Sequence, residues 1–151
     1  MGWTNSSWTN SSAGYGGLTK VLHWLIAALF VCQYAVGHVM TGMKTGETVF
    51  GLGQAAAYNW HKSIGLVALA VALVRLWNRR QGTLPPWAPT LSTTEQAFIH
   101  RCEQVLYAAM LVLPLSGVVY VMAGGYGVHL FGAWHLPNPL PASATLATFA
   151  K

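Results

Sequence analysis

The sequence predicts an all-α fold, a transmembrane helical bundle, and three observations carry that prediction. Of its 151 residues 54% are hydrophobic and only 7% charged, against roughly a quarter charged in a soluble domain. The mean hydropathy is positive. Three apolar stretches, at 18–40, 58–77 and 98–123, each reach the roughly 20 residues that cross about 30 Å of hydrocarbon. The net charge of +5 does not point to nucleic acid, because Lys and Arg stand at span ends instead of forming a patch.

Residues 1–17 precede the first span. They hold a tandem Trp-Thr-Asn-Ser-Ser repeat, at 3–7 and 8–12, followed by Ala-Gly-Tyr-Gly-Gly. Small and polar, the segment reads as a flexible leader. Its Asn-x-Ser sequons would escape glycosylation on the cytoplasmic side. The first span exceeds the apolar region of a cleaved signal peptide and carries His23, Gln33 and His38. A Pro-rich loop at 82–89 joins the second and third spans. Residues 18–123 are therefore expected to form the transmembrane domain. Residues 124–151, with Trp134, Pro137, Pro139 and Pro141, read as an outer-face loop or tail in which nothing spans again.

Orientation follows from the cations. Arg75, Arg79, Arg80 and Arg101 flank the connection between spans two and three, whereas the loop at 41–59 sets Lys44 against Glu47. The positive-inside rule then places that connection and the N-terminus in the cytoplasm and the tail on the outer face.

Histidines inside spans are the candidate site residues. His23 lies about 7 Å into the first span from the inner side, and His61 lies a few residues into the second from the outer side. Antiparallel helices would hold them about 20 Å apart along the membrane normal, so one metal cannot use both. Each reads as a haem ligand, with a hydrogen-bonded helix contact or a proton relay as the alternative; ionisable groups in lipid are costly and usually functional. Gly65, one turn beyond His61, would let a flat porphyrin approach the backbone. Arg75 and Arg79 follow His61 by 14 and 18 residues, which returns both to within about 40° of its face. Their guanidiniums suit haem propionates or an anionic or quinone head group, with snorkelling anchorage as the bland alternative. Arg80, off that stripe, reads as an anchor.

His100, level with His23, is a further cofactor-binding candidate, and His38, level with His61, and Lys20 are weaker ones. Glu103 suits a proton relay, a cap or a pair with Arg101. His129 and His135, six residues apart in the tail, match neither a helical face nor a standard metal pair and read as surface histidines. Cys32 and Cys102 differ in depth by about 10 Å, beyond disulfide reach, and read as small buried residues. There is no CxxCH attachment site, iron–sulfur motif or nucleotide motif.

Across these same residues the chain resembles a known family. Residues 15–24, residues 60–65 with Arg75 and Arg79, Pro85-Pro86, Ile99-His100, residues 105–107 and residues 114–117 are similar in order and spacing to the bacterial cytochrome b561 family, over about 15–141. The resemblance implies a four-helix protein of the bacterial inner membrane with two b haems, exchanging electrons with ubiquinone. Some members oxidise superoxide at the outer face, so superoxide or another outer donor is implied. Whether this chain is a superoxide:ubiquinone oxidoreductase or an electron carrier stays open.

By the same resemblance His23 matches the inner-haem ligand, His61 the outer-haem ligand, and His100 a third-span histidine near the inner site. Glu103 stands where the family has a further histidine. Both partner ligands belong to a fourth helix, and this chain shows three spans of the four-helix fold. A longer parent chain, or a helix donated by a partner or second copy, is the expectation. Substitution by His38 or His100, or loss of the haem sites, are the alternatives, so one haem or none is also open. The competing functions are a haem-free or inactive truncated membrane scaffold and the haem subunit of a larger dehydrogenase.

Overall fold

The structure, a computed structural model, describes residues 8–151. Its three long helices are α1 (Gly17–Gly42), α2 (Gln54–Gln81) and α3 (Thr93–Ala123), each long and apolar enough to cross a membrane. A two-stranded hairpin, β1 (Thr48–Val49) and β2 (Leu52–Gly53), joins α1 to α2. A second hairpin, β3 (Val128–Leu130) and β4 (Trp134–Leu136), follows α3 and leads to the short helix α4 (Ala144–Ala150).

Each long helix outruns its apolar stretch, for local reasons. At the start of α3 the Ser92 hydroxyl accepts from the Glu95 N–H, and the Glu95 carboxylate accepts from the Ser92 N–H at 2.8 Å. This capping box satisfies two orphan donors and starts the helix in polar residues. At the start of α2, Gln54 Nε2 donates to the Met40 and Met43 carbonyls at 3.0 and 3.3 Å. That bond closes the end of α1 onto the start of α2 beside the small core of Met40, Met43 and Ala57. Pro114 sits inside α3, which continues through it as a single helix.

The three helices form a row with α2 in the middle. It packs extensively against α1 and against α3, which have far less contact with one another. Ala57, Ser63, Ala68 and Ala72 are the buried residues of α2. Small residues allow close approach where lipid offers no hydrophobic drive to association. Large side chains such as Val31, Leu73, Trp77 and Val112 are exposed, as helices facing lipid require. Cys32 and Cys102 are also exposed, correcting the expectation that they are buried. Cys32 lies six residues beyond Ile26, which α1 buries, and that is about 120° round the helix.

Two further expectations change. The leader is not a free segment where it is described. Asn10 Oδ1 accepts from the Gly16 N–H at 2.9 Å and the Thr19 hydroxyl at 2.7 Å, and Asn78 Nδ2 of α2 donates to the same hydroxyl at 2.9 Å. Thr83 donates to the Asn10 carbonyl. Asparagine, whose side chain competes well for local backbone donors, thus ties the entry of α1 to the exit of α2. The first copy of the repeat, at 3–7, lies outside the described residues.

The tail is not a simple loop either. Lys62 Nζ donates to the Gly127 carbonyl at 3.2 Å, the fully buried Ser63 hydroxyl accepts from the Phe131 N–H at 2.8 Å, and Trp60 meets Phe131 edge to face at 5.3 Å. Ser63 donates in turn to the Asn59 carbonyl at 2.8 Å. These contacts dock the β3–β4 hairpin on α2. Ser143 then donates its N–H to the Ala123 carbonyl and caps α4, which packs along α3.

The Ser63 tie makes a testable expectation. Ser63→Ala leaves a buried N–H without an acceptor, at about 1–2 kcal/mol. Amide exchange at Phe131 should quicken roughly five- to thirty-fold in micelles, with α2 unchanged. Unaltered exchange at Phe131 would show that the hairpin does not depend on this bond.

Candidate functional site

Two cavities lie at opposite ends of the row. The first, of 390 Å³, takes Phe30, Gln33 and Tyr34 from α1, His61 and Gly65 from α2, and Pro114, Gly117 and Tyr120 from α3. The second, of 300 Å³, takes Lys20 and His23 from the start of α1, Arg75 and Arg79 from the end of α2, and Glu103 and Tyr107 from α3, with Asn10 and Tyr15 of the leader. Arg75, which touches His23, stands 14 residues from His61 on α2, so the two histidines are about 21 Å apart along the helix axis.

In the first cavity His61 is set by packing. Its ring lies over Gly37 of α1, where a Cβ would stand 3.5 Å from His61 Cε1 and 3.9 Å from Nδ1. His61 Nδ1 is buried without a hydrogen-bond partner. Nε2 is the ring nitrogen that is not walled in. The His61 carbonyl accepts from Gln33 Nε2 at 2.8 Å, and the Gln33 Oε1 is buried and unpartnered. That amide reaches across the space at Gly65, where a Cβ would lie 2.9 Å from Gln33 Nε2. The expected gap at Gly65 is thus taken by Gln33, although Gly65 still lines the cavity. The open glycine is Gly117 of α3, where an added Cβ meets nothing within 4 Å.

The second cavity is organised by charge. Arg75 Nη2 donates to His23 Nδ1 at 3.3 Å, while its Nε and Nη1 are buried without partners. The guanidinium carbons of Arg75 and Arg79 lie 5.6 and 5.4 Å from the centre of the Tyr107 ring, within cation–π range. Arg79 Nη2 also pairs with Glu103 Oε2 at 2.6 Å. Glu103 therefore pairs with Arg79 and not with Arg101. With Lys20, Arg75 and Arg79 set against one carboxylate, the cavity favours an anionic group.

The structure gathers Lys20, His23, Arg75 and Arg79 at one end and His61 with Gly65 at the other. The helical stripe of the second span is thereby divided between two sites. His38 and His100 line neither cavity. His38 is exposed, one residue round α1 from the Gly37 that carries the His61 ring. His100 is exposed too, with its Nε2 3.2 Å from Gln104 Nε2 and its Nδ1 3.8 Å from Glu103. Gln33, Gly37, Asn10 and Asn78 are site residues that pattern reading passed over. The one available signal was a polar amide at 33 in an otherwise apolar span.

Gly65→Ala should displace the Gln33 amide and cost about 1 kcal/mol, one hydrogen bond, because the flexible Gln33 side chain can withdraw. In a thermal-stability cycle with Gln33→Ala the two losses should not add. Full additivity would disprove the shared contact.

Over residues 14–149 the chain matches the family model described as prokaryotic cytochrome b561. It is 26% identical over 148 residues to cytochrome b561 homolog 2 of Escherichia coli (strain K12), an alignment covering 95% of this chain and 74% of that relative. The family match takes in the first cavity, all of the second but Asn10, the β3–β4 hairpin and most of α4.

Proposed function

Since the chain belongs to the prokaryotic cytochrome b561 family, whose membrane proteins bind haem b and transfer electrons, we propose that it carries electrons across the bacterial inner membrane between two haem sites, His61 holding one and His23 the other. One histidine in each of two cavities about 21 Å apart is the observation that carries this reading. With the N-terminus cytoplasmic, the His61 cavity faces an outer donor, superoxide or another reductant, and the His23 cavity faces the ubiquinone pool on the inner side.

The residues present fit such a group. Haem b supplies the one-electron redox couple. His61 Nε2 is open while Nδ1 is packed against Gly37, so the neutral ring with its proton on Nδ1 keeps a lone pair free for a metal. Gly117 leaves room for a flat ring on the facing helix. At the other end Arg75 donates to His23 Nδ1, which puts the proton of the neutral ring on Nε2. Ligation through Nε2 therefore requires Arg75 to give up that bond. Its two unpartnered nitrogens, Nε and Nη1, are then donors for a carboxylate such as a propionate, at charge-assisted strength. Arg79, already held by Glu103 and Tyr107, supplies positive charge without needing a new partner. Neither lining contains a second histidine. A further protein ligand at either site would have to come from outside these linings, for instance from a fourth helix placed in the open side between α1 and α3.

Membranes carrying the protein should show a b-type band in a reduced-minus-oxidised spectrum. His61→Ala and His23→Ala should each remove about half of the haem per chain, since each disables one of two separate sites. No b-type band in the unaltered protein would overturn the proposal and leave a haem-free scaffold. In the His61→Ala background, Arg75→Gln should lower the midpoint potential of the remaining haem by tens of millivolts, because a cation beside it favours the reduced state. An unchanged potential would show that Arg75 does not face that group.

A further inference from the structure

The β3–β4 hairpin places two histidines together that the sequence separates by six positions. His129 and His135 are direct cross-strand partners in the antiparallel register, with Val128 opposite Leu136 and Leu130 opposite Trp134. Their ring centres are 4.7 Å apart, with the planes inclined at 64°. Both side chains are exposed. We propose that this pair is a surface metal site, separate from both haem cavities, which binds a borderline divalent transition ion through two imidazole nitrogens, Cu(II) most tightly.

The spacing suits a chelate. A metal–nitrogen bond of about 2.1 Å, plus about 1.1 Å from nitrogen to ring centre, sets each ring centre about 3.2 Å from the ion. Two rings subtending between about 90° and 110° at one metal then have centres about 4.5–5.2 Å apart, and the observed separation falls in that interval. Cross-strand neighbours are also the unit in which a sheet holds two side chains together.

The frame behind the pair is held. Ser63 accepts from the Phe131 N–H in the turn and its hydroxyl lies 3.4 Å from the His129 carbonyl, and Lys62 donates to the Gly127 carbonyl at 3.2 Å. Trp60 packs on Phe131. The strands are thus anchored to α2, and chelation has less backbone to order than in a free hairpin. The Lys62 ammonium is engaged with the Gly127 carbonyl.

Ligand chemistry sets the ion. Two neutral imidazoles suit Cu(II), Ni(II) and Zn(II) and discriminate against Mg(II) and Ca(II), and the Irving–Williams order puts Cu(II) first. Among the described residues no group of three or more His, Cys, Asp or Glu side chains could hold a metal. The site therefore has two protein ligands, and water or an external ligand completes the coordination. It needs the hairpin only and stands whether or not the haem reading holds.

The test uses the untagged protein in detergent micelles with Cu(II) or Zn(II) as the probe. Pulsed EPR of the one-to-one Cu(II) sample should show two coordinated imidazoles. His129→Ala and His135→Ala should each leave one and weaken Cu(II) binding about tenfold or more, and the double variant should leave none at this site. His38→Ala should change neither quantity. Stoichiometric Zn(II) should slow amide exchange in residues 128–136 of the unaltered protein, a measurement that needs no variant. Fewer than two imidazoles in the unaltered protein, an unchanged Cu(II) signal in the His129 and His135 variants, or exchange in 128–136 indifferent to Zn(II), would each overturn the proposal.

Discussion

The close antiparallel seam between α1 and α2 is the constraint from which the rest follows. Gly37 accepts the Cε1–Nδ1 edge of the His61 ring, Gly65 accepts the end of Gln33, and Arg75 meets His23. All three contacts belong to one register. Sliding either helix by a turn would move the three together, because side chains on neighbouring helices meet in rows spaced three or four residues apart. Ala68 and Ala72, buried on α2 between the two ends, let the backbones approach closely enough for short polar contacts to form. In lipid this packing, with interhelical hydrogen bonds, does the work that hydrophobic burial does in water.

A row of helices has a consequence that a closed triangle would not. Because α1 and α3 pack on α2 far more than on each other, the space between them is a slot with α2 as its back wall. The slot is apolar over Phe30, Tyr34, Leu113 and Pro114 at one end and cationic over Lys20, Arg75 and Arg79 at the other. Polar groups facing it are incompletely satisfied. Gln33 Oε1 and two nitrogens of Arg75, residues that line the two cavities, are buried without partners. Such groups are expensive in a low-dielectric setting. Their concentration along one slot marks where a bound group would repay the cost.

The two ends are closed differently. At the His23 end the leader is tied by Asn10 and Thr19 to Asn78, so the chain segment before the first span becomes part of the second cavity. At the His61 end the β3–β4 hairpin is tied by Lys62 and Ser63, the two residues that follow His61, and Val128 of β3 reaches the first cavity. One turn of α2 thus presents a histidine to the slot and anchors the surface layer above it.

Hydropathy and charge by themselves determined the membrane class, the three spans and the pair of histidines near opposite ends. Each rests on local composition or on helix geometry, which any sequence carries openly. The same reading placed Arg75 and Arg79 on the face of His61, since 100° per residue is a property of one helix. Only the tertiary structure decided partners. It gave Glu103 to Arg79 instead of Arg101, filled the Gly65 gap with Gln33 and set His38 and His100 outside both cavities. It also folded the tail so that His129 faces His135, and docked the described part of the leader. Partners depend on register between helices and strands, and register is fixed by packing between segments far apart in the chain, for which a single sequence holds no local signal.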